Sequence, residues 1–178
     1  SMCLWLILFL APAQIVMGDF HGLNTLEYQP TKVAAMEGNW ETSSNVPLLL
    51  FALPDSKSQS NLFEIGIPSL ASIILTHDPN GVVPGIKETK VDDQPPVSLV
   101  FWSFRIMVGI GMLMALAGLF GMISRLRKNL YTPSVFHHFL VAMIPAPFIA
   151  VVAGWFVTEI GRSPWLVYGM MRYSDGIT

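Results

Sequence analysis

Apolar and polar residues separate into long blocks along this chain. An apolar run covers residues 1–17, a mainly polar stretch follows over 18–96, and two further apolar runs cover 97–123 and 134–160. A helix needs about 20 apolar residues to cross a bilayer. The two later runs are long enough. We interpret the first as a transmembrane helix that lacks its first turns, with an uncleaved signal anchor as the alternative.

This block pattern predicts an all-α membrane protein with three transmembrane helices, the first one truncated, that form part of a larger helical bundle. The 18–96 stretch is rich in turn-forming Pro, Ser, Asn and Gly, so we expect a long loop. Within it, short helices are predicted at 31–40 and 67–75. Pro145 and Pro147 should kink the last helix, because each proline removes a backbone donor.

Composition indicates a membrane protein, and the distribution of charge predicts its orientation. The chain is 52% hydrophobic and only 12% charged, whereas soluble domains carry about 25% charged residues. Segment 124–133 holds three basic residues within four positions, and the 18–96 loop holds ten acidic against four basic residues. Cytoplasmic loops collect Lys and Arg. We therefore expect 124–133 to face the cytoplasm, and the 18–96 loop and the 161–178 segment to face the periplasm of a bacterial inner membrane.

Two charges inside the apolar runs are the first candidates for function. Arg105 is the only charged residue in 97–123, and Glu159 lies near the end of 134–160. A lone charge in hydrocarbon costs about 2.5–3.5 kcal/mol on insertion scales, so it usually faces a partner, a cofactor or a polar cavity. Arg105 lies about 12 Å along a helix that enters from outside. Glu159 closes a helix that leaves on that side, so both charges are predicted in one leaflet.

The residues around Arg105 allow haem chemistry. Met107 offers a thioether, which is one of the axial ligands of haem iron, and Arg105 could bind a haem propionate through a bidentate pair. Gly109 and Gly111 leave room for a flat cofactor. The alternatives are that Met107 is one of many packing methionines and that the glycines let a neighbouring helix approach.

Two further groups carry candidate chemistry. Trp155 and Glu159 are four residues apart and share a helix face, and Arg162 follows three residues later. The carboxylate of Glu159 could ligate a metal, relay a proton or pair with Arg162. In the loop, Lys32 and Glu37 flank a predicted short helix and could hydrogen-bond a polar head group such as a quinol. A solvated helix face is the alternative.

Three stretches, taken in order, resemble subunit I of the cytochrome bd-type quinol oxidases, and the match covers nearly the whole chain. Residues 29–37, QPTKVAAME, followed by WET at 40–42, resemble the start of the quinol-binding Q loop. Residues 101–109, FWSFRIMVG, resemble the helix that carries the methionine ligand. Residues 154–165 resemble the signature that ends in Gly-Arg-Gln-Pro-Trp, although Ser163 replaces the glutamine.

The resemblance implies a role for the loop pair. Lys32 and Glu37 would bind and deprotonate the substrate, ubiquinol or menaquinol. The loop after Glu37 is short, which resembles the short-loop branch of the family. Quinol oxidised at the outer face would release its protons outside, which agrees with the orientation predicted from charge.

The resemblance also implies the haem sites. Met107 would be an axial ligand of the low-spin haem b iron, and Arg105 would stabilise that haem. Glu159 would ligate the high-spin haem b iron. Trp155 would pack between haems and Arg162 would meet the propionates. A haem d, or a b-type replacement, would complete the oxygen site.

The implied activity is that of a terminal respiratory oxidase, which oxidises quinol and reduces oxygen to water, and so generates proton-motive force without pumping. Its partners would be a second oxidase subunit, with room for a small single-helix subunit, the bilayer, and the earlier helices of subunit I that carry the histidine ligands. No nucleic acid is expected. Without those helices the isolated chain should be inactive. The alternative is a non-catalytic membrane scaffold or transporter segment in which Arg105 and Glu159 pair.

Overall fold

The computed structural model describes residues 2–128, 130 and 135–176. The predicted, mostly helical fold is confirmed. The α-helices of the described chain are α1 (Met2–Tyr28), α2 (Pro30–Glu37), α3 (Leu70–Thr76), α4 (Val97–Leu126), α5 (Val135–Ala142) and α6 (Ala146–Ile160). The strands are β1 (Ser43–Ser44), β2 (Leu48–Asp55), β3 (Ser60–Ile67), β4 (Val82–Val83), β5 (Trp165–Val167) and β6 (Met171–Arg172). Single 3-10 turns lie at Ile86–Glu88, Val91–Asp93 and Tyr173–Asp175.

The long apolar helices fall where the sequence predicts them. By length and composition, α1 and α4 could each cross a membrane, and α5 with α6 could form a third span if the bent pair counts as one. The last predicted helix is indeed interrupted, because α5 and α6 meet at 41° across a turn that ends at Pro145. Its predicted first residue, Ser134, lies outside the described residues, as do positions 129 and 131–133 of the predicted 124–133 link.

Helix α1 is longer than the sequence analysis predicts. It continues past the expected end at Met17 and stops at Tyr28. No proline follows until Pro30, so nothing in the backbone ends the helix at Gly18. Leu26 packs against the buried core of the following segment, and this tertiary contact supports the extra turns.

Helices α1 and α4 run antiparallel and touch through small residues. A Cβ added at Gly121 would lie 2.8 Å from a methyl carbon of Leu4, and one added at Gly118 would lie 3.0 Å from Ile7. Glycine at these two positions therefore lets the first half of α1 approach the last half of α4 closely.

The segment between α1 and α4 folds back over one end of the helices. Helices α2 and α3 lie where short helices are predicted at 31–40 and 67–75, each a few residues shorter. One buried cluster joins α2 to the start of α4 and the end of α6. Its members include Val33, Ala34, Ala35, Met36, Trp40, Val97, Val100 and Val157.

The β-structure of this segment is absent from the prediction. Strands β2 and β3 form an antiparallel hairpin in which Leu48 lies opposite Ile67 and Asp55 lies opposite Ser60. Strands β1 and β4 form a smaller pair in the same segment, and strands β5 and β6 form another pair after α6. A signal for the hairpin was present, because two apolar runs flank a short polar turn. A second buried cluster joins the hairpin to α4 and contains Leu49, Ala52 and Phe101.

Candidate functional site

Helix α2 carries two of the candidate residues and is almost entirely buried. Seven of its eight residues are buried, and Lys32 and Glu37 are 8% and 6% exposed. Pro30 starts the helix, where its missing N–H costs nothing. Gly38 ends it with φ of 69°, a left-handed conformation that favours glycine. The alternative that Lys32 and Glu37 lie on a solvated helix face is therefore wrong.

Glu37 pairs with Arg105 across the junction of α2 and α4. The Nη2 atom of Arg105 donates to Oε2 of Glu37 over 2.7 Å, and the two side chains are only 11% and 7% exposed. The Nε atom of Arg105 donates to the main-chain oxygen of Leu49 over 2.5 Å, and its guanidinium lies 4.7 Å from the Phe101 ring centre. Arg105 thus joins α4, α2 and β2 at one point.

Lys32, at the other end of α2, lies against the end of α6. A Cβ added at Gly161 would lie 3.1 Å from Cγ of Lys32, so the glycine leaves room for the lysine. Burial lowers the pKa of Lys32, the neighbouring Arg162 charge lowers it further, and Glu159 opposes both effects. Lys32 therefore releases its proton more readily than an exposed lysine does.

Glu159 pairs with Arg162. Of the roles considered for its carboxylate, which are metal ligation, proton relay and pairing with Arg162, this structure contains the pair. Nη2 of Arg162 donates to Oε2 of Glu159 over 2.5 Å, and the side chains are 34% and 39% exposed. Arg105 and Glu159 therefore have separate partners, and the direct pair proposed for a scaffold or transporter is wrong. Trp155 is exposed on α6.

Met107 lies at the crossing of α4 and α6, two residues after Arg105. Its side chain is half-buried, and its Sδ would be only 2.9 Å from a Cβ added at Gly154. Gly154 therefore provides the space that the sulfur occupies. By contrast, a Cβ added at Gly109 or Gly111 would meet nothing within 4 Å, so in this structure neither glycine serves as a contact with a neighbouring helix.

Several polar contacts around α2 could not be found from the sequence. The hydroxyl of Tyr168 lies 3.3 Å from Oγ1 of Thr31, which in turn lies 2.7 Å from Oγ1 of Thr89. Arg172 pairs with Asp93 at 2.7 Å. These contacts hold the segment after α6 against α2 and against the turn that contains Asp93. Their partners are distant along the chain, 137 positions apart for Tyr168 and Thr31, so no local pattern indicates them.

The long apolar helices, with a buried charged site at one end of them, define a helical membrane protein. The sequence model of the family described as cytochrome bd terminal oxidase subunit I matches residues 1–178. The chain belongs to this family, and the resemblance seen in its motifs is confirmed.

The relatives show how much of the family's length this chain represents. It is 37% identical over 171 residues to cytochrome bd ubiquinol oxidase subunit 1 of Bacillus subtilis (strain 168), covering 90% of this chain and 36% of that protein. It is 27% identical to cytochrome bd-II ubiquinol oxidase subunit 1 of Escherichia coli (strain K12), covering 87% and 43%. The solved structure of bd oxidase from Geobacillus thermodenitrificans matches with a TM-score of 0.82 and 33% identity, over 94% of this chain and 39% of that one.

Proposed function

We propose that this chain forms the quinol-oxidising part of a bd-type oxidase subunit I, in a complex that reduces oxygen to water and builds proton-motive force without pumping. One observation supports this most directly. A single buried helix, α2, brings Lys32 against the end of α6 and Glu37 against Arg105 of α4. These two helices carry the proposed haem ligands, Glu159 and Met107, so quinol bound at α2 would lie beside both.

The chemistry of Lys32 and Glu37 suits quinol. Oxidation of a quinol releases two electrons and two hydroxyl protons, so the site needs groups that accept hydrogen bonds from the hydroxyls and take up protons. The Glu37 carboxylate is held in place by Arg105 and can accept such a bond. Lys32 has a lowered pKa, so its neutral amine, a proton acceptor, is more accessible than that of a surface lysine.

The haem donors in this proposal are single side chains and not a cluster. Within the described residues, no cluster of three or more His, Cys, Asp or Glu could hold a metal ion. Met107 would hold the low-spin haem b through its thioether, and Glu159 would hold the high-spin haem b through its carboxylate. The Met107 sulfur lies against Gly154 at the crossing of α4 and α6. Bound haems would supply one-electron carriers and the oxygen-binding site.

The neighbouring side chains would hold these groups. Arg105 and Arg162 would face haem propionates, because guanidinium binds carboxylate well, and the exposed Trp155 would pack beside a haem. A haem d, or a b-type replacement, and the histidine ligands would come from the rest of subunit I. A second oxidase subunit, and a small single-helix subunit, would cover exposed apolar surface. The charge distribution favours a bacterial inner membrane with α2 on the periplasmic side.

The test uses the full-length subunit, co-expressed with its second subunit in membranes. Lys32→Gln should lower quinol-driven oxygen uptake by about tenfold or more, because a charged or proton-accepting contact is lost, and should leave the reduced-minus-oxidised haem spectrum unchanged. Lys57→Gln, at an exposed lysine in the hairpin turn, is the matched control and should change neither. Met107→Leu should remove the low-spin haem b band.

Each half of the proposal can fail separately. An unchanged spectrum in Met107→Leu would show that Met107 is a packing residue. Normal quinol oxidation in Lys32→Gln would remove Lys32 from the substrate site. A haem spectrum that changes equally in Lys32→Gln and Lys57→Gln would show that the loop affects assembly and not substrate.

A further inference from the structure

The β2–β3 hairpin contacts Arg105 and also Gly38, the residue that follows Glu37. It therefore touches or adjoins both members of the buried Glu37–Arg105 pair. In β2, the main-chain oxygen of Leu49 accepts the hydrogen bond from Nε of Arg105. In β3, Nδ2 of Asn61 donates to the main-chain oxygen of Gly38 over 2.8 Å, and Gly38 directly follows Glu37. The hairpin therefore holds the arginine from one strand and the main chain beside the glutamate from the other.

The amide of Asn61 makes three hydrogen bonds, which fix its orientation. Its Oδ1 accepts from the indole Nε1 of Trp40 over 2.7 Å, and its Nδ2 donates both to Gly38 and to Oε1 of Glu64, each over 2.8 Å. An indole N–H can only donate and a carbonyl oxygen can only accept. An amide, with its oxygen towards Trp40 and its nitrogen towards Gly38, satisfies both neighbours.

The contact falls at Gly38, whose backbone conformation and surroundings are both restricted. Gly38 is in the left-handed conformation, and a Cβ there would lie 3.2 Å from the Phe101 ring. The end of a helix leaves carbonyl groups without partners inside the helix. The bond from Asn61 gives the Gly38 oxygen a partner, and Phe101 packs against the same residue. Together they fix the backbone at the end of α2, directly beside Glu37.

We propose that Asn61 is a positioning residue for quinol oxidation, which acts through Gly38 to hold the Glu37 carboxylate in place. The inference rests on the proposed function, because it takes Glu37 to contact the quinol. Asn61 touches neither quinol nor haem in this scheme. Its loss should therefore raise the KM for quinol more than it lowers kcat, and should leave the haem spectrum unchanged.

Two substitutions in the full-length, co-expressed oxidase test the inference. Asn61→Ala removes all three bonds, and Asn61→Asp keeps the acceptor for Trp40 but loses the donor to both Gly38 and Glu64. Both should raise the KM for quinol by about three- to tenfold, because each loses the one hydrogen bond that reaches the main chain beside Glu37, and both should keep a normal haem spectrum. Asn80→Ala changes an exposed asparagine of the same segment and should match the wild type.

Glu37→Gln separates failure of this inference from failure of the proposed function. If Glu37→Gln oxidises quinol normally, the substrate role of Glu37 is wrong and the positioning role falls with it. If Glu37→Gln is impaired while Asn61→Ala and Asn61→Asp keep the wild-type KM, only the positioning role is overturned. Loss of the haem spectrum in both Asn61 variants would also overturn it, since Asn61 would then support the fold of the subunit as a whole.

Discussion

Two of the site's carboxylate–arginine pairs, Glu37–Arg105 and Glu159–Arg162, differ in burial and in separation along the chain. Glu37 and Arg105 are 68 positions apart, and their side chains are 7% and 11% exposed. Glu159 and Arg162 are three positions apart, and their side chains are 39% and 34% exposed. The first pair forms only when the loop folds over α4. The second pair is local, because its two residues lie on either side of the end of α6.

This contrast teaches how each carboxylate can serve its proposed role. Burying two charges is costly, and the cost is recovered only when the geometry is good and further hydrogen bonds complete the site. The Leu49 carbonyl and the Phe101 ring supply these contacts to Arg105, so Glu37 is fixed. A half-exposed local pair opens at little cost, so Glu159 is available to a second partner such as a haem iron.

The largest effect is expected from breaking the buried pair. Arg105→Met leaves the Glu37 carboxylate without its partner at a buried position. Removal of one member of such a pair costs about 3–5 kcal/mol, because the remaining charge stays desolvated. We expect a large fall in the thermal unfolding midpoint of the purified full-length complex, together with loss of quinol oxidation.

The double variant Arg105→Met with Glu37→Met sharpens this test. It removes both charges, so stability should recover in part relative to Arg105→Met, whereas quinol oxidation should stay lost. If the double variant is as unstable as the single one, the cost comes from lost packing around Arg105 and not from the unpaired carboxylate.

A much smaller effect is expected at the exposed pair. Arg162→Gln should lower stability by less than about 1 kcal/mol, because half-exposed ion pairs contribute little and are screened by salt. Thermal unfolding of the full-length complex at low and at high salt measures this contribution. A loss as large as that of Arg105→Met would show that the rest of the oxidase buries the Glu159–Arg162 pair.

The two pairs also mark what the sequence can and cannot predict. Arg105 and Glu159 stand out as charges in apolar helices, and the bend at Pro145 follows from proline chemistry. The partner of Arg105 was not predictable, because Glu37 is 68 positions away and no local pattern joins them. Leu49 acts through its main-chain oxygen. Every residue has such an oxygen, so the sequence does not distinguish Leu49. Such contacts depend on a tertiary arrangement that local propensity does not encode.

A third ion pair allows the effect of burial to be distinguished from the effect of separation along the chain. Glu41 and Lys87 are 46 positions apart, as in a tertiary pair, yet their side chains are 75% and 40% exposed, with Nζ 2.9 Å from Oε1. The hydrogen bond from Lys87, followed by its charge, lowers the pKa of Glu41 below the usual 4.5. The stabilisation is therefore present above about pH 4.5 and is lost as pH falls through the lowered pKa.

If burial decides, this third pair should behave like Glu159–Arg162 despite its long separation. Glu41→Gln should give the smallest effect of the three: a slight fall in the unfolding midpoint at pH 7, which disappears in acid because the wild-type carboxylate is then protonated as well. Unfolding of wild type and variant across this pH range measures the difference. A fall at pH 7 as large as that of Arg105→Met would contradict this account, since distance along the chain, and not burial, would then set the strength of these pairs.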